Sequence, residues 1–218
     1  TIKFTDTNPG DILWTPSGEL VMGQPRMRLM INRDAKKAEG PPKLLKALDA
    51  EGKVLREFGE SRDFGEELVN NAANEIQTTV DGAGRVHLLF PTQNRIDKYA
   101  PDGRLLWRAD RELPYSMEIK EKGRMESSGS RVSIRMPRLN RCASGVAVDG
   151  RGRVWVATLA RQLKEEEEVR LGVTMSVSEG GGRTMGYQVR GDTEIRTTDA
   201  YKLEVFDPDG VLLGSLPL

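Results

Sequence analysis

The sequence predicts an all-β protein made of repeated four-stranded antiparallel sheets, the arrangement of β-propeller blades. Two kinds of β-hairpin recur along the 218 residues, and they alternate in a fixed order. The composition agrees with this prediction, since hydrophobic residues make up 37% of the chain, charged residues 30%, and glycines number 23. Such a chain is too apolar for general disorder and lacks the Ala, Glu, Leu and Lys richness of a helical bundle.

The first kind of hairpin is an apolar strand, a tight turn that ends in glycine, and a second apolar strand. Its three copies occupy residues 12–22, 78–89 and 145–157. Aligned on their last turn glycines, Gly18, Gly84 and Gly152, the copies lie 66 and 68 positions apart. Self-similarity at a nearly fixed spacing is typical of repeat architectures.

The second kind of hairpin has an Asp-Gly or Glu-Gly turn between two apolar strands. Its three copies occupy residues 46–55, 96–107 and 203–213. Asp-Gly, with Pro before it in two copies, supplies the positive φ and the preset geometry that a hairpin turn requires. The flanking Val, Leu, Tyr, Phe and Trp residues fit a pleated, half-buried surface. Each copy therefore predicts a β-hairpin.

Together, one hairpin of each kind makes a four-stranded unit of the size of a propeller blade. The alternation predicts three blades, at about residues 11–59, 76–109 and 143–216. We expect residues 1–218 to form one propeller domain or part of one. Since propellers have four to eight blades, further blades would lie within the insertions, in sequence outside this chain, or in a second chain.

Two segments carry a resemblance to a known family. Residues 94–107 combine an Asn-Arg-Ile strand with a Pro-Asp-Gly turn, and residues 145–157 end a strand in a Val-Asp turn. Both resemble blades of the NHL-repeat, six-bladed β-propeller superfamily. The likeness is looser at 12–22, where Pro16 and Ser17 replace the acidic turn. The resemblance implies that the three blades belong to a six-bladed ring.

Three long insertions interrupt the blades. They span residues 24–42, 111–141 and 161–199. With the strands of a blade labelled A to D from the axis outward, the short turns are A–B and C–D, whereas the insertions are B–C or D–A connections. All three insertions are therefore expected on the same face. Long loops held on one rim of a rigid scaffold are common binding sites.

The insertions supply the candidate binding residues. Residues 111–141 contain eight basic and four acidic residues, and the alternation at 132–136 predicts an extra strand. Residues 161–199 contain four consecutive glutamates and two alternating segments around three glycines, which predicts a protruding hairpin. The binding candidates are Arg131, Arg135, Arg138, Arg141, Arg183 and Tyr187.

The sequence lacks the residues that most kinds of catalytic site require. The one cysteine, Cys142, excludes an internal disulfide and a Cys-rich zinc site. The one histidine, His87, lies within a predicted blade strand and is expected to be a core or sheet-surface residue. Asn74, Glu75 and Asn140 precede inner strands, where oxygen ligands for a hard metal would lie, but they show no fixed ligand spacing. We predict no catalytic residues, no metal and no cofactor.

The sequence favours a non-catalytic protein-binding scaffold, a peripheral subunit of a larger assembly. Its partners would be other protein subunits, including those of a membrane-associated complex, and its expected location is the periplasm or cell surface of a bacterium. The resemblance leaves one alternative, a metal-dependent hydrolase or lyase of the gluconolactonase-like kind. Nucleic acid is not expected, because 33 basic and 33 acidic residues balance and aromatics make up only 6%. No apolar run approaches the roughly 20 residues of a transmembrane helix.

Overall fold

A computed structural model of the chain describes residues 11–23, 42–128, 131–177, 183–191 and 199–218. Blade 1 consists of β1 (Ile12–Trp14), β2 (Leu20–Gly23), β3 (Lys43–Leu48) and β4 (Val54–Glu60). Blade 2 consists of β5 (Gln77–Val80), β6 (Val86–Phe90), β7 (Arg95–Tyr99) and β8 (Leu105–Ala109). Between them lies the helix α1 (Glu67–Ala73), which the sequence did not predict.

The remaining elements belong to blade 3 and to the insertions. The insertion after blade 2 contains β9 (Ile119–Glu121), β10 (Arg124–Ser128), β11 (Arg131–Arg135) and β12 (Arg138–Leu139). Blade 3 consists of β13 (Ala143–Val148), β14 (Val154–Leu159), β17 (Tyr201–Phe206) and β18 (Leu212–Pro217). Within it, a 3-10 helix (Glu165–Glu167), β15 (Arg170–Val177) and β16 (Arg183–Arg190) form the second described insertion.

The three blades have the predicted topology. Their strand orders are β1-β2-β3-β4, β5-β6-β7-β8 and β13-β14-β17-β18, and every neighbouring pair is antiparallel. The innermost strand β5 lies against β1 on one side and β13 on the other. The all-β prediction of three four-stranded antiparallel sheets, compatible with a β-propeller, is confirmed.

Adjacent blades pack face to face. We call the face of a blade that packs on the next blade along the chain its leading face. Between blades 1 and 2 the buried core includes Leu45, Phe58, Leu88, Phe90 and Tyr99. Between blades 2 and 3 it includes Leu89, Ile96, Val154, Val156 and Phe206. Because side chains alternate across a strand, successive residues of β6 and β7 enter the two cores in turn.

A repeated contact joins an aromatic ring to a turn glycine at each of these interfaces. A Cβ built on Gly103 would lie 3.1 Å from Phe58 of blade 1, and one on Gly210 would lie 2.8 Å from the ring of Trp107 of blade 2. Trp107 Nε1 also donates a hydrogen bond to the carbonyl oxygen of Pro208 at 3.0 Å, which fixes the ring. Glycine is thus needed in the Asp-Gly turn for two reasons. It adopts the positive φ, and its lack of a side chain leaves room for the aromatic ring of the preceding blade.

Replacement of Gly210 by Ala should destabilise the protein more than the same change at Gly18. Both glycines have φ near the left-handed region, +88° and +84°, but a Cβ at Gly18 meets nothing within 4 Å. Gly18→Ala should lower the free energy of unfolding by about 1–2 kcal/mol from backbone strain. Gly210→Ala should lower it by about 1–3 kcal/mol more, from overpacking against Trp107. Equal losses in urea unfolding would show that the ring contact contributes nothing.

His87 is buried in the leading face of blade 2. Its side chain is fully inaccessible and meets the Trp107 ring edge to face, with ring centroids 6.1 Å apart. Burial, together with the nearby charge of Lys98, lowers the pKa of His87 from 6.5 to about 4. The imidazole is therefore neutral at pH 7, as expected for a core histidine.

The buried histidine predicts a loss of stability in mild acid. Its pKa is lower in the folded than in the unfolded chain, so the unfolded chain binds the extra proton as the pH falls through 6.5 towards 4. Stability should be full above pH 6.5 and fall by about 3 kcal/mol by pH 4 from this group. His87 is the one histidine of the chain. In urea unfolding between about pH 6.5 and 5, above the range where carboxylates titrate, His87→Gln should therefore lose the slope, and a slope retained there would contradict the assignment.

Candidate functional site

The insertion between blades 2 and 3 folds into short antiparallel pairs. β9 pairs with β12. Between these two strands in the sequence, β10 pairs with β11, with Arg124 opposite Arg135 at one end and Ser128 opposite Arg131 at the other. The extra strand predicted at residues 132–136 is confirmed as β11. The insertion therefore has its own hydrogen-bonded backbone outside the blades.

A buried ion pair fixes the start of this insertion. Arg111 lies 3.5 Å from the carboxylate of Glu204 on β17, and both side chains are 1% exposed. Thr158 lies between them: Arg111 donates to its hydroxyl at 2.7 Å, and that hydroxyl donates to Glu204 at 2.7 Å. Arg111 Nε also donates to the side-chain oxygen of Asn94 at 3.0 Å. Arg111 thus joins blade 2 to blade 3 and does not contribute to a surface patch.

Cys142 belongs to the same buried cluster. Arg111 donates to its sulfur at 3.1 Å, yet burial dominates and raises the pKa of the thiol. A fully buried thiol with a raised pKa is a poor nucleophile. The expectation of a small buried cysteine is confirmed.

Loss of the Arg111 charge should be among the most destabilising single changes in this region. Arg111→Met leaves the buried Glu204 with its charge only partly compensated, by Lys202 at 2.8 Å, and should lower the free energy of unfolding by about 3 kcal/mol. Adding Glu204→Met should recover part of this loss, since two apolar side chains replace the pair. Arg104→Met serves as the control, because Arg104 and Asp102 form an exposed pair at 4.0 Å. Equal unfolding midpoints for the Arg111 and Arg104 variants would refute this role.

The insertion within blade 3 is a hairpin closed at its base by Arg161. β15 pairs with β16 over eight positions, from Arg170 opposite Arg190 to Val177 opposite Arg183, and the predicted hairpin is confirmed. Arg161 donates to Glu167 at 2.7 Å and, at the other end of the insertion, to Asp199 at 2.8 Å. The Arg161 guanidinium lowers the pKa of Glu167 to about 2.

The two insertions lie together. Strand β11 of one packs beside β15 of the other. Gln162 Nε2 donates to the backbone oxygen of Arg141 at 2.7 Å, and Arg138 lies 3.9 Å from the carboxylate of Glu168. Their placement side by side agrees with the expectation that the insertions share one face. The insertion at 24–42 lies outside the described residues except for its last position.

A groove of about 430 Å³ runs between the two insertions. Its lining residues are Lys120, Met136, Pro137, Arg138, Leu139, Arg141, Leu159, Gln162, Leu163, Glu168 and Val169. The lining combines an apolar floor with three cations and one carboxylate. A volume of this size lies within the roughly 300–1,000 Å³ typical of ligand-binding pockets.

The predicted binding residues fall into two groups. Arg138 and Arg141 line the groove, whereas Arg135 points to a neighbouring ionic pocket, where it pairs with Glu121 at 3.0 Å. The backbones of Arg131, Arg183 and Tyr187 lie in β11 and β16, and their side chains lie outside the described part of the structure.

The sequence gives no indication of several groove residues. Met136, Leu163 and Val169 are scattered over both insertions, and only the packing of one insertion on the other brings them together. Their residue types carry no chemical signal that would have singled them out.

Two of the three predicted metal candidates, Asn74 and Asn140, have structural partners. The side-chain amide of Asn74 accepts from the backbone N–H of Arg62 and donates to its carbonyl oxygen, both at 2.8 Å. Asn140 Nδ2 donates to the carbonyl oxygen of Ser116 at 2.7 Å. Among the described residues, no group of three or more His, Cys, Asp or Glu side chains is placed to hold a metal ion.

No family model and no curated protein matches the chain. Among solved structures, a protein of unknown function from Bacteroides caccae aligns at 13% identity over 96% of this chain and 67% of its own, with a TM-score of 0.37. A virginiamycin B lyase from Staphylococcus aureus aligns at 13% identity over 96% of this chain and 70% of its own, with a TM-score of 0.35. The fold assignment therefore rests on the strand pairings within the chain.

Helices long and apolar enough to cross a membrane are absent from the described residues.

Proposed function

We propose that the chain is a non-catalytic protein-binding scaffold, a peripheral subunit of a larger assembly, that binds through the insertions on one face. The observation that supports this most directly is the packing of the two described insertions on each other, with β11 beside β15. They form a continuous surface on a base of regular blades. Loops positioned by a rigid scaffold are where binding residues concentrate.

The bases of both insertions are fixed by ion pairs. This supports a binding role for the insertions. The buried pair of Arg111 and Glu204 holds one base, and Arg161, paired with Glu167 and Asp199, holds the other. A surface ordered before a partner arrives loses less conformational entropy on binding. The described insertion strands pair with each other and not with blade strands, so the insertions lie outside the blade sheets.

The metal-dependent hydrolase or lyase remains the alternative, and no geometry among the described residues favours it. The bacterial extracytoplasmic location remains a prediction.

Removal of the blade 3 hairpin should abolish partner binding and leave the blades folded. Gly191 lies against the backbone of Glu168, where a Cβ would lie 2.3 Å from the Glu168 carbonyl oxygen. The two ends of the hairpin are therefore adjacent, and residues 170–190 can be removed by joining Val169 to Gly191. We expect a circular dichroism spectrum that is still of the β type and an unchanged thermal midpoint, with loss of the proteins that cross-link to the intact chain in an extract of the source cells.

A purified partner identified in this way must bind the intact chain and fail to bind the deletion variant. The double variant Lys53→Glu/Arg151→Glu, which changes two exposed cations in the short turns of the opposite face, should bind it normally. Equal binding by the intact chain and the deletion variant would overturn the proposed use of this face.

A further inference from the structure

The groove between the insertions has an excess of positive charge over the carboxylates that the described residues place there. Arg138 is paired with Glu121 at 3.6 Å and with Glu168 at 3.9 Å. Within the described part of the chain, no carboxylate lies within ion-pair distance of Lys120 or Arg141, and both side chains are exposed. Glu168 is the one carboxylate in the lining. Two cations therefore remain available to an anionic ligand.

The same groove exposes apolar side chains beside these cations. Met136 is 39% exposed and Val169 is 53% exposed, on opposite insertions. Leu139 and Leu163, in the same lining, are half-buried. Large apolar side chains grouped on a polar surface indicate a contact site, and Met adapts to ligands of different shape. A ligand that matches this groove would thus carry carboxylates to pair with the cations and an apolar side chain to contact the apolar residues.

We propose that this groove binds an extended acidic segment of a partner protein, with carboxylates at Lys120 and Arg141 and an apolar side chain between Met136 and Val169. This inference rests on the proposed function and names the chemistry of the partner. An extended polypeptide supplies both kinds of group within a few residues, because it advances about 3.3 Å per residue and each residue carries its own side chain. The described residues that line the groove include no aromatic ring on which a nucleic acid base could stack.

The attraction between the ligand carboxylates and the two cations should contribute moderately to the binding free energy and should weaken with added salt. Lys120 and Arg141 are exposed, so each attraction acts through water and weakens once the ionic strength brings the Debye length below about 10 Å. The apolar contribution should persist at high salt. Measuring binding at low and high salt therefore distinguishes the charge contribution from the apolar contribution.

The test uses a fluorescently labelled synthetic peptide in which Glu and Leu alternate, and a second peptide in which Lys replaces Glu. We expect the intact protein to bind the Glu-Leu peptide at low salt and to bind the Lys-Leu peptide at least about tenfold more weakly. The variant Lys120→Glu/Arg141→Glu should reverse this order of preference, as complementary charge requires. The control Lys53→Glu/Arg151→Glu carries the same change in net charge on the opposite face and should keep the original preference.

The apolar half of the site has its own variant. Val169→Ser should weaken Glu-Leu binding by a similar factor at low and high salt, because it removes buried area and no charge. Displacement of the peptide by a single-stranded oligonucleotide would assign the cations to a nucleic acid and overturn the proposal.

Unchanged preference in the charge-reversed variant would also overturn it. If deletion of residues 170–190 still abolished partner binding in that case, the scaffold function would stand and only the acidic ligand would be wrong. If the deletion had no effect, the proposed function itself would be wrong.

Discussion

Arg111 and Glu204 place opposite charges where water does not reach, between blade 2 and blade 3. Removing two ions from water is expensive, and their attraction offsets this only when hydrogen bonds satisfy the remaining donors and acceptors. Here Thr158 bridges the pair, Asn94 accepts from the guanidinium, and Lys202 lies 2.8 Å from the second carboxylate oxygen. The arrangement specifies how the blades meet and where the insertion between them begins.

Each blade places a charged residue at the same point of its third strand and pairs it differently. The registers put Lys46, Asp97 and Glu204 opposite Met22, Leu88 and Val156 of the neighbouring strands. Asp97 is buried, and Arg95 and Arg108 hold its pKa below the usual value despite that burial. Lys46 instead pairs with Glu57 at 3.5 Å on the next strand. The backbone repeats closely, whereas the buried polar contacts are particular to each interface.

The parts of the fold that local chemistry determines were predictable. Glycines at turn positions and alternating apolar residues place the hairpins, because positive φ and a two-residue period leave few alternatives. The helix α1 was missed, since seven residues between blades show no extended apolar period. The burial of Arg111 was missed for another reason: its partner Glu204 lies far along the sequence, and only the packing of blade 3 on blade 2 reveals it.

The basic composition of residues 111–141 shows why a count of charges is a poor guide to a binding surface. Arg111 is neutralised in the interior, and Lys122 and Arg135 are neutralised at the surface by Glu66 and Glu121. The charge that remains at the groove depends on which of its cations have no carboxylate partner among the described residues, namely Lys120 and Arg141. Because the insertions are fixed at their bases, the backbone holds those two cations beside the apolar residues of the same groove. That combination gives the groove a basis for selecting a ligand that net charge alone would not provide.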